Sequence, residues 1–479
     1  MNLSREAIHG SLWTYLAFVS GKILSFATTV ILARLLLPGQ FGLVGYCLIA
    51  FQYLSLLNLF GMDVALISRR DKLQEAANAA FLVNVATGAL LFGVAWALAP
   101  SIAVFFKARD VEPLFRVLAL SLPLGALGAV PDALLQRALR FKARLLPEFG
   151  RSIVKGVISV FLAWRGFGVW SLVLGHIAGE SAATLFAWVL AGWRPTLSFD
   201  SRVAREMTVF GVHIVAISLL GALFSNVDML FVGRILGAEA LGYYTMAYRI
   251  PELVLASTNN VVARVAHPLF SRVQSSAEQL RTTFISYLRY MSLIIFPAGV
   301  GLAIVTAPFI IIAYSSRWAP SIPAMQLISL ALAVSSVGFI PGVLYKASNR
   351  PEILTKLALV KVLPDMTVLW LGTRWGIVGV AAAQIVTAFI NVSLDSLVVS
   401  RILRLRPSEM LRALAPATAC SAIMGLAGFF LAPKLTSAGV PGLLFLVVFG
   451  IIVYGTMLLL VSRESITQAG KMLLASRRS

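Results

Sequence analysis

The chain has 479 residues, 59% apolar and 13% charged, with a mean hydropathy of +0.88; soluble domains carry about 25% charged residues, so an ordinary soluble class is excluded. A net charge of +20 would suit nucleic acid if it gathered on one solvated face, but the 40 Lys and Arg are spread through short connections between apolar runs. Cys47 and Cys420 lie inside apolar runs, which excludes a disulfide framework and a Cys-x-x-Cys metal site.

At about 20 apolar residues per span, the sequence predicts an all-α polytopic membrane protein with fourteen transmembrane helices. They fall near 11–33, 40–61, 76–99, 114–135, 149–165, 168–191, 208–233, 240–262, 284–306, 322–345, 353–373, 376–400, 411–432 and 440–462. The first run is too long for the apolar core of a signal peptide and is expected to be the first span. Residues 1–205 then hold spans one to six, 206–405 spans seven to twelve, and 406–479 the last two spans with a C-terminal tail. Lys and Arg collect on the cytoplasmic side. With the N-terminus inside, 26 of the 40 fall on inner segments and 9 on outer ones, so both termini are expected in the cytoplasm.

Residues 21–42 read GKILSFATTVILARLLLPGQFG, and 221–242 read GALFSNVDMLFVGRILGAEALG. Without a gap, Gly21/Gly221, Ser25/Ser225, Arg34/Arg234, Leu36/Leu236 and Gly42/Gly242 coincide, and a register ten residues further on pairs Gly128/Gly338 and Pro131/Pro341. The chain reads as two related halves. A duplicated bundle implies a transporter whose substrate site lies between the halves near the bilayer midplane.

The outer connections are short, the longest running from about 100 to 113, and leave no external loop of the size a membrane glycosyltransferase or polymerase would use. No HExxH, Ser/His/Asp grouping, Walker loop or Gly-rich phosphate loop is present. The sequence therefore points away from an enzyme and calls for no cofactor or metal. The inner loops at 136–147 and 263–281 are basic and amphipathic, suited to anionic lipid headgroups, but setting the topology is the more ordinary explanation of them.

Several stretches together resemble a family: ILARLLLPGQFGLVGY after the first span, QRALRFKA after the fourth, GRILGAEALGYYTMAYRIPELVL across the seventh and eighth, HPLFSRVQ after the eighth, and WAPSIPAMQLISL with YKASNRPE around the tenth. Over roughly residues 1–410 the chain is similar to the Wzx-like lipid-linked oligosaccharide flippases of the multidrug/oligosaccharidyl-lipid/polysaccharide exporter superfamily. The resemblance implies two pseudo-symmetric six-helix lobes around a central cavity and alternating access. Its implied cargo is a polyprenyl-pyrophosphate-linked oligosaccharide, moved from the inner to the outer leaflet of the bacterial cytoplasmic membrane for exopolysaccharide, capsule or lipopolysaccharide synthesis. Expected partners are that cargo, membrane lipids, and polysaccharide polymerase and export machinery; a monomer is expected to suffice. The nearest alternative is a cation-coupled multidrug exporter of the same superfamily, which would offer carboxylates in the first lobe where this chain offers Lys22.

Ionisable groups at membrane depth are costly and usually face a cavity or a partner. Five cations, Lys22, Lys155, Arg249, Arg289 and Lys361, balance five acids, Glu180, Asp228, Glu252, Asp365 and Asp395. For an anionic headgroup the best candidates are Lys22, which has no acid three or four residues away, and Arg249, whose guanidinium can grip phosphate oxygens as a fork. Glu252, at i+3, offers Arg249 a local ion pair instead, and Pro251 between them should loosen the helix. Lys155 is a third candidate; for it and Arg289, snorkelling to headgroups is the ordinary alternative. His176 and Glu180, at i,i+4, form a candidate proton relay, or simply a packed hydrogen bond. Asp228 with Lys361 and Asp365 forms a candidate coupling or ion-pair site. In the resembling sodium-coupled flippases of the peptidoglycan precursor, carboxylates stand at the positions of Asp228 and Asp365, but an amide stands where this chain has Lys361. That departure points to a built-in ammonium in place of sodium, with any coupling running through protonation of a carboxylate.

Overall fold

The computed structural model describes residues 21–461 except 59–60, 70, 139, 197–198, 210, 213–214, 216–225 and 351. The expected beginning of the first span, half of the seventh and the C-terminal tail lie outside the described residues. What is described is helical, without a strand, because hydrocarbon offers backbone N–H and C=O groups no partner except each other.

Helices α1 (21–35), α2 (Pro38–Asn58), α3 (Met62–Ser68), α4 (Leu73–Phe105), α5 (Val111–Leu118), α6 (Ser121–Arg137), α7 (Phe141–Trp164) and α8 (Trp170–Ala191) come first. They are followed by α9 (201–209), α10 (Val227–Phe231), α11 (Ala238–Pro251), α12 (Ser257–Val273), α13 (Ala277–Ala313) and α14 (Ile322–Ala347). The last four are α15 (Glu352–Gly372), α16 (Gly376–Leu403), α17 (Pro407–Thr436) and α18 (Gly439–Val461). Among the described residues, nine ranges are long and apolar enough to cross a membrane. One of them, Glu352–Leu403, holds both the eleventh and twelfth expected spans, turned back at Thr373–Trp375. The fifth expected span, α7, is helical throughout but carries Arg144, Glu148, Arg151 and Lys155. The count of fourteen stands as a sequence-based expectation.

Local chemistry sets the breaks. Pro38 opens α2, where a fixed φ and a missing N–H cost nothing, and Gln40 Oε1 accepts from the Leu37 N–H at 2.9 Å. Pro251 closes α11 and a π-helical turn, Glu252–Ala256, follows at once; this is the loosening expected there. A second π turn, Val232–Leu236, follows α10.

The described chain packs as two compact units divided between Gly242 and Tyr243, some forty residues beyond the repeat boundary drawn from sequence at 205/206. In the first unit, Met62, Leu66, Ala76, Ala80, Val130 and Met207 form a buried core. In the second, Phe270, Phe284, Leu288, Ile340, Tyr345 and Val399 do so. Small residues bring helices together, as expected where lipid removes the hydrophobic drive for association. A Cβ on Gly179 would crowd the Arg151 carbonyl and the Lys155 Cβ at 2.9 Å, and one on Gly299 would crowd the Ser329 carbonyl at 3.0 Å. Helices α17 and α18, beyond the duplicated part, lean on α13: Tyr454 donates its hydroxyl to the Leu293 carbonyl at 2.9 Å. Phe429, Phe430, Ile451 and Leu460 are left exposed, as a lipid-facing surface requires.

Candidate functional site

The first polar centre lies on α7. Arg144, Glu148, Arg151 and Lys155 recur at i, i+4, i+7 and i+11 and so share one helix face. That face looks on to α6 and α8. The Arg144 guanidinium grips Asp132 of α6 with two bonds of 3.3 Å, the forked geometry that sets Arg apart from Lys. One turn or more further along, Arg151 Nε lies 3.2 Å from Glu180 of α8. Lys155 runs beside Gly179, where only the missing Cβ lets α7 and α8 approach. Helix α1 packs on α7 in the same direction, Gly21 facing Ser152 and Gly156 facing Thr28. Lys22 and Lys155 therefore stand on adjoining helices at neighbouring depths, both exposed.

This packing changes two sequence expectations. Glu180 is taken by Arg151 across helices, and the His176 ring meets Phe51 edge-on with centroids 5.8 Å apart; the i,i+4 relay is not the pairing seen among the described residues. Arg144 and Arg151, counted from sequence as inner-loop topology determinants, belong to a cavity of about 450 Å³ lined by α2, α6, α7 and α8. The signal that could have found them was their spacing with Lys155.

The second polar centre lies in the second unit. The Lys361 ammonium of α15 donates to Asp395 Oδ1 of α16 at 2.7 Å, with both side chains largely buried. Asp365, one turn from Lys361, accepts from Asn391 Nδ2 at 3.0 Å. Sequence spacing put Lys361 with Asp365; the crossing of α15 and α16 gives it to Asp395 instead and supplies Asn391, which sequence reasoning did not single out. A cavity of about 350 Å³ opens beside the pair, with Asn259 and Ser336 on its wall; Asn259 Nδ2 donates to Ser336 Oγ at 3.1 Å. Asp228 is buried in α10. Arg249 and Glu252 are both exposed, on either side of Pro251 where α11 passes into its π turn. Among the described residues no group of three or more His, Cys, Asp or Glu could hold a metal ion.

The two copies of the repeat meet within the first unit. A Cβ on Gly42 would overlap the carbonyl of Ala238, and a Cβ on Gly242 would overlap the carbonyl of Pro38. In the 200-residue register Pro38 corresponds to Ala238 and Gly42 to Gly242, so the contact is reciprocal. Tyr46 reinforces it by donating its hydroxyl to the Gly233 carbonyl at 2.9 Å and stacking on Phe106 at 4.2 Å.

A multi-pass helical bundle with internal repeats, inter-helix ion pairs and polar cavities among its apolar helices is the architecture of a membrane transporter. The sequence comparison makes the assignment specific: residues 31–323 match the polysaccharide biosynthesis protein family, and the chain belongs to it. The lipopolysaccharide biosynthesis protein WzxC of Escherichia coli is 26% identical over 398 residues, 82% of this chain and 81% of its own. The teichuronic acid biosynthesis protein TuaB of Bacillus subtilis is 23% identical over 331 residues, 69% and 68% of the two chains. Among solved structures, the lipid II flippase MurJ in an inward closed conformation superposes with a TM-score of 0.76 at 15% identity, covering 95% of this chain and all of its own. An inward-facing multidrug transporter of the MATE family gives 0.65 at 16% identity, over 80% and 95%. These likenesses show the exporter-superfamily fold; the family is one of transporters and not of enzymes.

Proposed function

We propose that the chain is a flippase carrying a polyprenyl-pyrophosphate-linked oligosaccharide repeat unit from the inner to the outer leaflet of the bacterial cytoplasmic membrane, with both termini cytoplasmic. The observation that carries the reading is membership of the polysaccharide biosynthesis family on a fold shared with a solved lipid flippase. The exposed cations agree with it. Lys22 and Lys155 on adjoining helices, and Arg249 at a Pro-loosened break, offer positive charge where a pyrophosphate crossing a low-dielectric region needs it. A cationic drug would be repelled by the same groups, which disfavours the multidrug alternative.

Lys361 supplies a fixed positive charge to Asp395, so transport in this reading needs no sodium. The reciprocal glycine contact lies at the end of α2 that the charge bias assigns to the outside, and its parting would open the outer exit. The test is reconstitution in vesicles with a fluorescent polyprenyl-pyrophosphate oligosaccharide, reading exposure of the glycan to an added glycosidase. Protein-dependent exposure is the expected result, and a cationic dye moved in place of the lipid would support the multidrug reading.

A further inference from the structure

The turns that join α7 to α8 and α15 to α16 carry the same three residue types. One reads Trp164-Arg165-Gly166 and the other Arg374-Trp375-Gly376. In the register that pairs Gly128 with Gly338, Gly166 falls on Gly376, and both glycines have a positive φ, 86° and 68°, with nothing close to an added Cβ. In each turn the arginine lies over aromatic rings. Arg165 Cζ is 5.2 Å from the centroid of Phe161 and 5.7 Å from that of Trp164, and Arg374 Cζ is 5.4 Å from that of Trp370, all within cation–π range. Among the described residues neither guanidinium has a hydrogen bond or an ion pair besides. No Asp or Glu stands in 149–179 or in 366–394 to offset the charge. Arg116 gives the contrast: it also lies over a ring, Trp96 at 5.0 Å, but its guanidinium is spent on Glu112 at 2.9 Å.

The rings are as open as the cations. Trp164 is 70% exposed and Trp375 71%, and Phe161, Phe167 and Trp370 are exposed beside them. Whatever covers such a turn has to bury an apolar ring and satisfy a cation within a few ångströms. A phospholipid does both: an indole suits the boundary between headgroup and acyl chain, and a phosphate suits a guanidinium whose N–H fork is free. A zwitterionic headgroup brings its own cation and leaves the arginine uncompensated, so the complementary lipid is an anionic one. Two equivalent turns, 210 residues apart, call for an abundant ligand and not for a single molecule of cargo.

We propose that each turn is an anchoring site for one anionic phospholipid of the leaflet it meets, the leaflet that the Lys and Arg bias assigns to the outside. The stacked ring holds the guanidinium at the height of the phosphate, and the glycine turns the chain back without a side chain in the way. Such anchoring is independent of what the chain transports.

The test titrates the purified full chain in detergent with phosphatidylglycerol and, separately, with phosphatidylcholine of the same acyl chains, and counts retained lipids by native mass spectrometry. Arg165 and Arg374 are exposed, so Arg165→Gln, Arg374→Gln and their combination leave the core untouched. The wild type is expected to retain at least two phosphatidylglycerols more tightly than phosphatidylcholine. Each single variant should weaken one of them about fivefold and the double variant both, with phosphatidylcholine within about twofold of wild type. Arg116→Gln, whose guanidinium is already paired, should retain phosphatidylglycerol as the wild type does. The proposal is overturned if the wild type holds phosphatidylglycerol no better than phosphatidylcholine, if the double variant holds it as the wild type does, or if Arg116→Gln weakens it as much as the double variant. It is also overturned if an acidic oligosaccharide, oligogalacturonate, binds the wild type and is lost from the double variant while phosphatidylglycerol is kept; the turns would then be glycan sites.

Discussion

Gly42 and Gly242, equivalent positions in the two copies of the repeat, are each packed against the carbonyl of the other copy's residue four positions earlier, Ala238 and Pro38. The relationship is self-complementary, as a contact between related copies across a local two-fold must be. It also explains why the first compact unit extends to Gly242: the first turn of α11 is held by the first turn of α2. Either glycine changed to Leu would force the backbones apart, an overpacking of about 1–3 kcal/mol. We expect Gly42→Leu and Gly242→Leu each to reduce flipping severely at near-normal protein level, with increased labelling of Tyr46→Cys by an impermeant thiol reagent added outside. Unchanged labelling and unchanged flipping would show the contact to be incidental.

Lys22 is the position where charge should matter most. Lys22→Ala is expected to abolish polymer export while the protein still inserts, and Lys22→Arg to keep part of it, because the headgroup needs a positive charge near the midplane. The check is polymer yield in a deletion strain, normalised to protein in the membrane. Normal yield from Lys22→Ala would remove Lys22 from the site.

Arg249 should be less forgiving of a conservative change. Arg249→Lys keeps the charge and loses the fork, so it is expected to be impaired more than Lys22→Arg. Export restored by changing Arg249 to Ala together with Glu252 to Gln would make the pair structural.

Breaking the Lys361/Asp395 pair from one side strands a largely buried charge, which costs about 3–5 kcal/mol. Lys361→Met should therefore lower the melting temperature, and adding Asp395→Asn should recover most of the loss. Flipping by the wild type should be indifferent to an imposed sodium gradient. Sodium dependence gained in Lys361→Asn would confirm the ammonium as a resident counter-ion; sodium stimulation of the wild type would contradict it.

Outside the membrane, Asp200 caps α9. Its Oδ1 accepts from the backbone N–H of Arg202 at 2.9 Å and of Val203 at 3.2 Å, and the Val203 N–H, with Lys72 nearby, holds the carboxyl below its ordinary range. A depressed folded pKa stabilises above the unfolded value of about 3.9, and that contribution is lost as pH falls through the lower folded value. Amides of 201–209 should lose exchange protection below about pH 4, and Asp200→Ala should show the lower protection at neutral pH. Identical protection in the variant would rule out the cap.

Much of the fold was legible because lipid leaves the backbone few choices: apolar run length gave the helices, and Pro251 gave one of their breaks. Pairings were less legible. Lys361 has Asp365 one turn away in sequence, yet the angle at which α15 crosses α16 decides for Asp395, and no periodicity within one helix carries that information. Arg144 and Arg151 were read as topology signals because an Arg-rich segment before a span normally is one. Only the packing of α6 and α8 turns their shared face inward. The glycine repeat was visible from the start, but that its two copies touch each other is a tertiary fact.

The central claim is that this chain moves a lipid-linked oligosaccharide across a bilayer through a cationic path. The most direct measurement reconstitutes wild type and Lys22→Ala at equal density in vesicles carrying a fluorescent polyprenyl-pyrophosphate oligosaccharide, then follows glycan exposure to external glycosidase over time. The account predicts rapid exposure with the wild type and exposure at the protein-free rate with Lys22→Ala. Exposure at the protein-free rate with the wild type, or equal rates for the two proteins, would contradict it.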